Sequence, residues 1–456
     1  MRSDVRRVAV LGGNRIPFAR SDSAYAHASN HDMLTVALDG LIERFHLAGE
    51  RLGEVAAGAV LKHSRDRDLT REAVLSTRLA PQTPAYDVQQ ACGTGLEAVV
   101  LLANKIALGQ IEVGIAGGVD TTSDAPLAVN DDLRELLLDL NRAQTTAARL
   151  RLLARLRPGQ IVPDIPRNAE PRTGLSMGEH CAIMAAEWGI ARTEQDELAA
   201  HSHQQMAAAY ERGFFDDLLN PYLGLQRDEN LRADSTPEKL AKLKPVFGGT
   251  RGTMTAGNST PLSDGASAVL LSSEEWAREH GLPVLAWLTE AQTAAVDHVH
   301  PIPRDGDAGG QAGTPGPEGQ AGLPTAEGQG SRREGLLMAP AYAMPRMLDR
   351  AGLTLQDFDL YEIHEAFAAQ VLCTLKAWED PVFCRERLGR KEPLGAIDRT
   401  RLNVNGGSLA AGHPFAATGG RIVAALAKAL HERGSGRGVI SICAAAGQGV
   451  VAVLEA

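Results

Sequence analysis

The chain has 456 residues, a formal net charge of −10 and a hydrophobic content of 44%. This length exceeds what one core usually holds, so we expect two or more packed units. The acidic balance argues against a general nucleic-acid binder, and no run reaches the roughly 18 apolar residues of a membrane-spanning helix. Residues 1–20 lack the apolar core and cleavage site of a signal peptide, so we expect a cytoplasmic protein.

The cysteine content is typical of neither a zinc site nor a disulfide framework. Five cysteines form no Cys-x-x-Cys pair and are an odd number in a long chain. We therefore expect reduced thiols and no metal site. Three of the five are predicted to be small buried side chains: Cys181, Cys373 and Cys384.

The first 121 residues alternate strand and helix patterns, as is typical of an α/β fold. The low aromatic content of 4% also suits tightly packed helix-on-sheet layers. In chain order, the predicted elements are a strand at 8–11, a helix at 32–46, a helix at 93–108 and a strand at 113–116.

The middle of the chain, 122–257, changes to long helical patterns dotted with charges, with loops rich in proline, aspartate and asparagine. Helices are predicted at 131–156, 177–188 and 194–213. This segment reads as a cap inserted into the α/β chain.

A second α/β series follows the cap. Its predicted strands are at 265–271, 360–363 and 439–443, and its predicted helices are at 366–378 and 418–431. Each half offers a strand that enters a small-residue turn and opens a helix, at 87–97 and 402–423. A duplicated fold is therefore favoured, although direct sequence identity between the halves is weak.

Residues 303–335 hold glycine, proline and polar residues and almost nothing to bury. We predict a disordered surface loop there. Glycines recur at every third residue from 310 to 322, but five triplets in an acidic chain are too few for a collagen-like triple helix.

Two cysteines and one histidine stand where a strand pattern breaks into small residues. Cys92 precedes a glycine-rich helix start, whose dipole favours a thiolate and makes it a candidate nucleophile. His413, between Gly412 and Pro414, is a candidate general base. Cys443 ends an apolar strand and is a candidate acid/base thiol. Taken alone, Cys92 can equally be a small corner residue and His413 a turn-stabilising side chain.

Five segments resemble the motifs of the thiolase family, in the family's order: CGTGLEAV, GTMTAGNSTPLSDGASAV, EIHEAFAAQ, NVNGGSLAAGHPFAATGGR and CAAAGQG. The resemblance spans nearly the whole chain apart from the glycine-rich insert. It implies an α/β, five-layered αβαβα fold of two duplicated halves with an inserted loop domain. The domains would be an N-terminal half at 1–121 and 258–283, a loop domain at 122–257, and a C-terminal half at 284–456 containing the disordered insert at about 304–335.

The resemblance also implies Claisen chemistry with coenzyme A (CoA) and acyl-CoA as substrates and with no metal or redox cofactor. Cys92 would carry the acyl group, His413 would act as general base, and Cys443 would exchange the proton of the enolate. His413 and a water held by His364 would stabilise the enolate oxygen. The backbone N–H groups of Cys92 and Ala445 would stabilise the acyl-enzyme carbonyl.

By the same resemblance, four residues would bind CoA: Arg232, Ser259, Thr260 and Phe367. Arg232 can equally be a solvated charge on a polar loop. Asn405 is either a turn residue or a residue that orients the catalytic side chains. Gly93 and Gly412 are the other two residues expected to support the site structurally.

At two positions the sequence resembles the degradative branch of the family, to which the β-subunits of trifunctional complexes belong. The sequence HEAF has His364 where biosynthetic thiolases commonly have asparagine, and Ser176 replaces a histidine of the short-chain biosynthetic type. We therefore expect a 3-ketoacyl-CoA thiolase that catalyses the last step of fatty acid β-oxidation.

Two alternatives stay open from the sequence. One is a biosynthetic acetoacetyl-CoA thiolase, and the other is a non-catalytic acyl-CoA-binding scaffold, which would usually have lost one of the three reactive side chains. The expected assembly is a homodimer or homotetramer, with a complex with a hydratase/3-hydroxyacyl-CoA dehydrogenase subunit as a further option.

Overall fold

The computed structural model of the chain describes residues 5–166, 168–300, 302 and 333–456. The predicted insert at 304–335 lies outside the described residues except at its end, where Glu334 is buried. The strands are β1 (Val8–Arg15), β2 (Ala19–Arg20), β3 (Glu54–Ala57), β4 (Ala85–Asp87), β5 (Val113–Asp120), β6 (Ala128–Val129), β7 (Pro163–Asp164), β8 (Pro245–Phe247), β9 (Met254–Thr255), β10 (Ser263–Ser273), β11 (Ala286–Ala295), β12 (Leu360–Ile363), β13 (Arg437–Ala444) and β14 (Gln448–Glu455).

Helices alternate with these strands along most of the chain. They are α1 (Asn30–Arg44), α2 (Leu69–Ser76), α3 (Thr94–Ala107), α4 (Asp131–Arg142), α5 (Thr146–Leu153), α6 (Met177–Glu187), α7 (Arg192–Glu211), α8 (Pro237–Leu240), α9 (Glu274–Glu279), α10 (Ala339–Ala351), α11 (Ala368–Glu379), α12 (Pro381–Glu386), α13 (Ser408–Ala411) and α14 (Ala417–Arg433). The α/β class predicted from the alternating patterns is confirmed.

The helix predicted at 131–156 is wrong in one respect, because the structure divides it into α4 and α5. Thr145 accepts a hydrogen bond from the backbone N–H of Ala148 and so starts a new helix. Apolar periodicity continues across this break, and for that reason the pattern alone predicts one helix. Helix α10 was not predicted at all, because Pro345 lies inside it.

The central sheet contains the same arrangement of strands twice. In one half the order is β3-β5-β10-β1, with β4 at the outer edge, and in the other half it is β12-β13-β14-β11. The first pair of each series is parallel and the next two pairs are antiparallel. The halves join through a short antiparallel pairing of β1 with β11, from Val8↔Leu288 to Val10↔Ala286. The predicted duplication is therefore present in the topology.

Alternating side chains on the strands define the five layers. Val8 and Val10 of β1 face a central core that contains α3 and α14, whereas Ala9 and Leu11 face an outer core with α1 and α2. On the other half, alternate residues of β13 and β14 face the central core or an outer core that contains α10 and α11. The order of layers is thus helix, sheet, helix, sheet, helix.

The two central helices touch through their glycines. A Cβ atom on Gly95 of α3 would lie 2.5 Å from the carbonyl oxygen of Ala416, and one on Gly419 of α14 would lie 2.2 Å from the backbone nitrogen of Leu96. Neither position has room for a side chain. The first turns of α3 and α14 therefore meet, which brings the residues that precede each helix to one place.

Part of the segment between β5 and β10 packs on the C-terminal half, and another part exposes apolar side chains. Helix α6 contacts α11, and α7 contacts both α11 and α13. By contrast, α4, α5 and the chain around them expose ten large apolar side chains: Leu127, Val129, Leu137, Leu138, Leu150, Leu153, Leu156, Ile161, Val162 and Ile165. Among the described residues, no helix is long and apolar enough to cross a membrane.

The glycine contact between the central helices can be tested by mutation. We expect Gly419→Ala to lower the free energy of unfolding by about 3 kcal/mol, because the added methyl group meets backbone atoms that cannot move aside. Thermal unfolding would measure the change. Gly159→Ala is the matched control, since nothing lies within 4 Å of a Cβ atom there, and it should change stability by less than about 0.5 kcal/mol. Equal stability of the two variants would contradict the prediction.

Candidate active site

The three predicted reactive side chains come together at the meeting point of the central helices. Cys92 lies two residues before α3, and His413 lies four residues before α14. The Cys92 sulfur is 3.1 Å from Nε2 of His413. Cys443 lies near the end of β13, and its electrostatic interaction with Cys92 shows that the two thiols are close. The sequence-based prediction of one centre for these residues agrees with the geometry.

The residue before Cys92 and the residue before His413 both have a positive φ angle. Ala91, directly before the cysteine, has a φ of 47°, and Gly412, directly before the histidine, has a φ of 99°. A Cβ atom on Gly412 would lie 2.4 Å from Nδ2 of Asn230 and 2.6 Å from Oγ of Ser263. Only glycine fits this position, so the turn is fixed before the chain reaches His413.

The hydrogen bonds of His413 leave Nε2 free to accept a proton. Its Nδ1 is 2.6 Å from the hydroxyl oxygen of Thr418, and that hydroxyl donates to the carbonyl of Pro414 at 3.4 Å. With the Thr418 proton used there, the Nδ1–H of the imidazole donates to the threonine oxygen and Nε2 carries the lone pair toward Cys92. This partner was not predicted, although it lies only five residues after the histidine.

Burial opposes the charged form of both members of this pair. Burial raises the pKa of the Cys92 thiol to about 12, against the opposing effect of a hydrogen bond from the backbone N–H of Ala445. Burial, together with the positive charge of Arg421, lowers the pKa of His413 to about 3. Desolvation thus opposes the thiolate that the dipole of α3 favours, and the predicted preference for a thiolate stays a prediction.

The loop after Cys443 supplies backbone donors to the centre. Burial, followed by the proximity of Cys92, raises the pKa of the Cys443 thiol well above its usual value. Ala445 directs its N–H toward the Cys92 sulfur. The next residue, Ala446, has a φ of 61°, and its N–H donates to the buried carboxylate of Glu170 at 2.7 Å. Glu170 comes from the inserted segment, and nothing in its sequence context pointed to this contact.

His364 lies against His413, with their ring centres 4.2 Å apart. Its Nδ1 is 2.8 Å from the hydroxyl oxygen of Ser408, which also accepts a hydrogen bond from Arg421 at 2.9 Å. Its Nε2 is buried without a hydrogen-bond partner among the described residues. Burial, with the nearby His413 and Arg421, lowers the pKa of His364 well below its usual value. This histidine is therefore a neutral side chain with one unused nitrogen.

Asn405 makes its side-chain hydrogen bond to Arg212 and not to one of the reactive side chains that it could have oriented. It accepts a hydrogen bond from Arg212 at the end of α7. The asparagine that holds the His364 segment is Asn403, which bonds both backbone groups of Ile363 at 2.9 Å and donates to Glu365 at 2.6 Å. The spacing of the two asparagines in NVNGG did not distinguish them.

Three of the predicted CoA-binding residues lie together. Ser259 and Phe367 form an isolated β-bridge, and Thr260 donates to the carbonyl of Ala366 through both its backbone N–H and its hydroxyl at 3.1 Å. The ring of Phe367 stacks edge-on against that of Phe247, with 6.2 Å between the centres. The segment before β10 is thereby tied to the HEAF segment that contains His364.

Arg232 and Gly93 are placed by their own surroundings. The exposed guanidinium of Arg232 donates to the backbone carbonyls of Glu229 and Leu231, at 2.8 and 3.0 Å. Gly93 is the N-terminal cap of α3, and a Cβ atom there would lie 2.5 Å from Oε1 of Gln90. No side chain caps α3, and the backbone N–H of its first residue, Thr94, donates to the carbonyl of Ala91 at 3.1 Å.

The raised pKa of the Cys92 thiol predicts how this residue reacts with an alkylating agent. Below a pKa of about 12, the thiolate fraction rises about tenfold for each pH unit. We expect the rate of Cys92 alkylation by iodoacetamide to rise throughout pH 5 to 9, as measured by mass spectrometry of the Cys92 peptide. The Cys384 peptide, from a buried thiol elsewhere, serves as an internal control. A rate that is constant across pH 5 to 8 would instead indicate a thiolate–imidazolium pair.

Comparison with known proteins identifies the family of the chain. Two family models match the chain, the thiolase N-terminal domain over residues 8–275 and the thiolase C-terminal domain over residues 321–456. The chain is 38% identical over 455 residues to the 3-ketoacyl-CoA thiolases of Yersinia enterocolitica and Yersinia pestis, and the match covers 98% of this chain and 97% of each relative.

Solved structures give the same result for the fold. Acetyl-CoA acetyltransferase of Bacillus anthracis matches with a TM-score of 0.77 and 28% identity over the whole of both chains. Human mitochondrial 3-ketoacyl-CoA thiolase matches with a TM-score of 0.76 and 27% identity over 99% of both chains. The human enzyme in complex with CoA matches with a TM-score of 0.75 and 27% identity, over 99% of this chain and 98% of that one. From these matches and the geometry of its site, the chain belongs to the thiolase family.

Proposed function

We propose that the protein is a 3-ketoacyl-CoA thiolase, an acyltransferase that uses CoA to cleave 3-ketoacyl-CoA into acetyl-CoA and a shortened acyl-CoA. The observation that carries the proposal is the 3.1 Å contact between the Cys92 sulfur and Nε2 of His413, with the second thiol of Cys443 beside it. A nucleophile, its base and a separate acid are what this cleavage requires.

The first half of the reaction forms an acyl-enzyme. Nε2 of His413 takes the Cys92 proton as the sulfur attacks the 3-keto carbon and its carbonyl electrons move to oxygen. When that carbonyl reforms, the bond between C2 and C3 breaks and the electron pair leaves on the enolate of acetyl-CoA. Cys443 donates its proton to the enolate carbon, and the imidazolium of His413 then returns a proton to the Cys443 thiolate. The acyl group stays on Cys92 as a thioester.

The second half returns the enzyme to its starting state. His413 takes the thiol proton of an incoming CoA, whose sulfur attacks the thioester carbon. The resulting adduct expels the Cys92 thiolate, which recovers the proton from His413. The products are the shortened acyl-CoA and an unchanged enzyme. No metal or redox cofactor takes part in the proposed steps, and CoA and acyl-CoA are substrates.

Each negative oxygen on this pathway needs donors that are already in place. The backbone N–H groups of Cys92 and Ala445 are proposed to meet the oxygen of the acyl-enzyme and its adduct. The support is the direction of the Ala445 N–H toward the Cys92 sulfur. His413 and a water held by His364 are proposed to meet the enolate oxygen, supported by the unused Nε2 of His364.

CoA is proposed to lie along the segment that joins the inserted domain to the HEAF loop. Ser259, Thr260 and Phe367 stand together there, and the buried hydroxyl of Ser259 has no hydrogen-bond partner in the described chain. Arg232 is proposed to meet the nucleotide end, because its guanidinium is exposed and donates only to carbonyls of its own loop among the described residues. Gly93 and Gly412 support the site through the close backbone packing at each of them.

The degradative reaction is favoured over the biosynthetic one by sequence relatives and by His364. Both Yersinia relatives are named 3-ketoacyl-CoA thiolases. The Bacillus anthracis neighbour is an acetyl-CoA acetyltransferase, so synthesis of acetoacetyl-CoA is kept as the second candidate. The presence of all three reactive side chains argues against a non-catalytic scaffold.

The proposed assembly rests on exposed apolar side chains in the inserted segment. Ten large apolar side chains are exposed around α4 and α5. Exposed apolar residues that are grouped in this way mark a protein interaction surface, which supports contact with another chain. We propose a homodimer or homotetramer in the cytoplasm, with a hydratase/3-hydroxyacyl-CoA dehydrogenase subunit as the further partner to test. Light scattering of the purified protein would give the mass of the assembly.

The proposed reaction is tested by following loss of 3-ketoacyl-CoA absorbance with CoA, from acetoacetyl-CoA to long-chain substrates. We expect the wild-type protein to cleave longer chains faster, and Cys92→Ala and Cys443→Ala each to lose at least about a thousandfold in rate. Cys384→Ala is the matched control and should keep its activity. Activity confined to acetoacetyl-CoA would favour the biosynthetic candidate, and folded protein inactive on every substrate would refute the proposal.

The proposed domain division makes a separate prediction for the glycine-rich insert. We expect deletion of residues 306–333 to leave the rate of thiolysis within about twofold, because the sequence there offers almost nothing to bury. The same absorbance assay, together with thermal unfolding, would measure the result. Loss of turnover by a variant with unchanged thermal stability would show that this segment takes part in function.

A further inference from the structure

We propose that Ser408 and Arg421 are positioning residues that hold His364 in the tautomer with its proton on Nε2. The tautomer follows from the hydrogen bonds alone, whereas its use at the oxygen of a reacting thioester rests on the proposed function. In this state the histidine presents a neutral N–H donor to the centre.

The hydroxyl of Ser408 decides which nitrogen of His364 carries the proton. Among the described residues, its oxygen has two partners, Nη2 of Arg421 at 2.9 Å and Nδ1 of His364 at 2.8 Å. Because the guanidinium can only donate, the hydroxyl accepts from it. The one remaining acceptor for the serine proton is Nδ1 of His364. If Nδ1 carried a proton instead, a buried hydroxyl would lose its acceptor, which is energetically unfavourable.

The other nitrogen of His364 points to a ligand. His364 is only 1% exposed, so water does not reach its Nε2 from the surface. This nitrogen is buried and has no hydrogen-bond partner among the described residues. A buried donor with no partner is costly unless a ligand or water completes it. The adjacent ring of His413, 4.2 Å away between centres, places this nitrogen in the reacting region.

Arg421 is built into the core for this contact. It is 5% exposed, it belongs to the buried face of α14, and it stands near the carboxylates of Glu362 and Glu365. Its positive charge also disfavours a second proton on His364. The arginine thus orients the serine hydroxyl and keeps the imidazole neutral at the same time.

This arrangement explains why a histidine at position 364 needs a partner that an asparagine would not. The amide of asparagine always carries N–H donors, whereas neutral imidazole donates from one nitrogen only, and which nitrogen depends on its neighbours. The serine hydroxyl is therefore required by the histidine and should be dispensable when position 364 holds an amide.

A double-mutant cycle tests this dependence with the 3-ketoacyl-CoA cleavage assay. We expect Ser408→Ala to lower kcat about 10- to 100-fold with little change in KM, because a transition-state donor is lost. In the His364→Asn background, the same change should alter kcat less than about twofold. Ser441→Ala, which removes another buried serine hydroxyl in the same half, is the matched control and should leave kcat unchanged. An equal loss from Ser408→Ala in both backgrounds would overturn the proposal.

A measurement that does not depend on activity separates this inference from the proposed function. In protein labelled with ¹⁵N-histidine, the His364 signals, assigned by their absence in His364→Asn, should show a protonated Nε2 and an unprotonated Nδ1. Ser408→Ala should produce a mixture of tautomers or reverse them. A protonated Nδ1 in the wild type would overturn the proposal, even if thiolysis is observed. Conversely, the expected signals in a protein without thiolase activity would support the tautomer and refute only the proposed function.

Discussion

The close contact of α3 and α14 is the constraint on which the rest of the structure depends. Gly95 and Gly419 let the two first turns approach so closely that a Cβ atom on either would meet backbone atoms of the other helix. Because Cys92 and His413 lie just before these helices, their separation is set by backbone packing. A catalytic distance fixed in this way does not rely on flexible side chains to find each other.

The cost of this arrangement is that ionisable groups are buried in the centre of the molecule. Desolvation opposes charge on Cys92, Cys443, His364 and His413 alike. In the proposed reaction, backbone N–H groups and the unused nitrogen of His364 bind the charge that develops. Donors that wait unpaired for a developing charge need no reorganisation at that moment.

The sequence predicted the fold class and the duplication, because both depend on local patterns, and local patterns also singled out the three candidate reactive side chains. Strand and helix periodicity is local, and Cys92, His413 and Cys443 each mark the end of a strand pattern. The contact that sets the His364 tautomer was not predicted, because His364 and Ser408 lie 44 positions apart in the chain. Glu170 reaches Ala446 across 276 positions, and no pattern around a single carboxylate announces such a partner.

The effect of burial on the Cys92 thiol could not be predicted from the sequence for a related reason. A helix dipole can be read from the residues that open the helix, but desolvation depends on every layer packed around the sulfur. The break between α4 and α5 and the proline inside α10 are similar cases, in which a cap or a tertiary contact overrides a periodic pattern. Local sequence therefore located the chemistry better than it described its electrostatics.

Duplication also explains how the two halves depend on each other. The end of β5, in the first half, carries Asp120, whose carboxylate accepts the backbone N–H of Ala416 at 2.8 Å and so holds the start of α14. The corresponding strand of the second half, β13, carries Cys443 one residue before its end, close enough to Cys92 for the two thiols to interact electrostatically. Each half thus places a residue of its central strand against the helix start of the other. The contact between Cys92 and His413 exists only when both halves are packed together, since each half supplies one of the two residues.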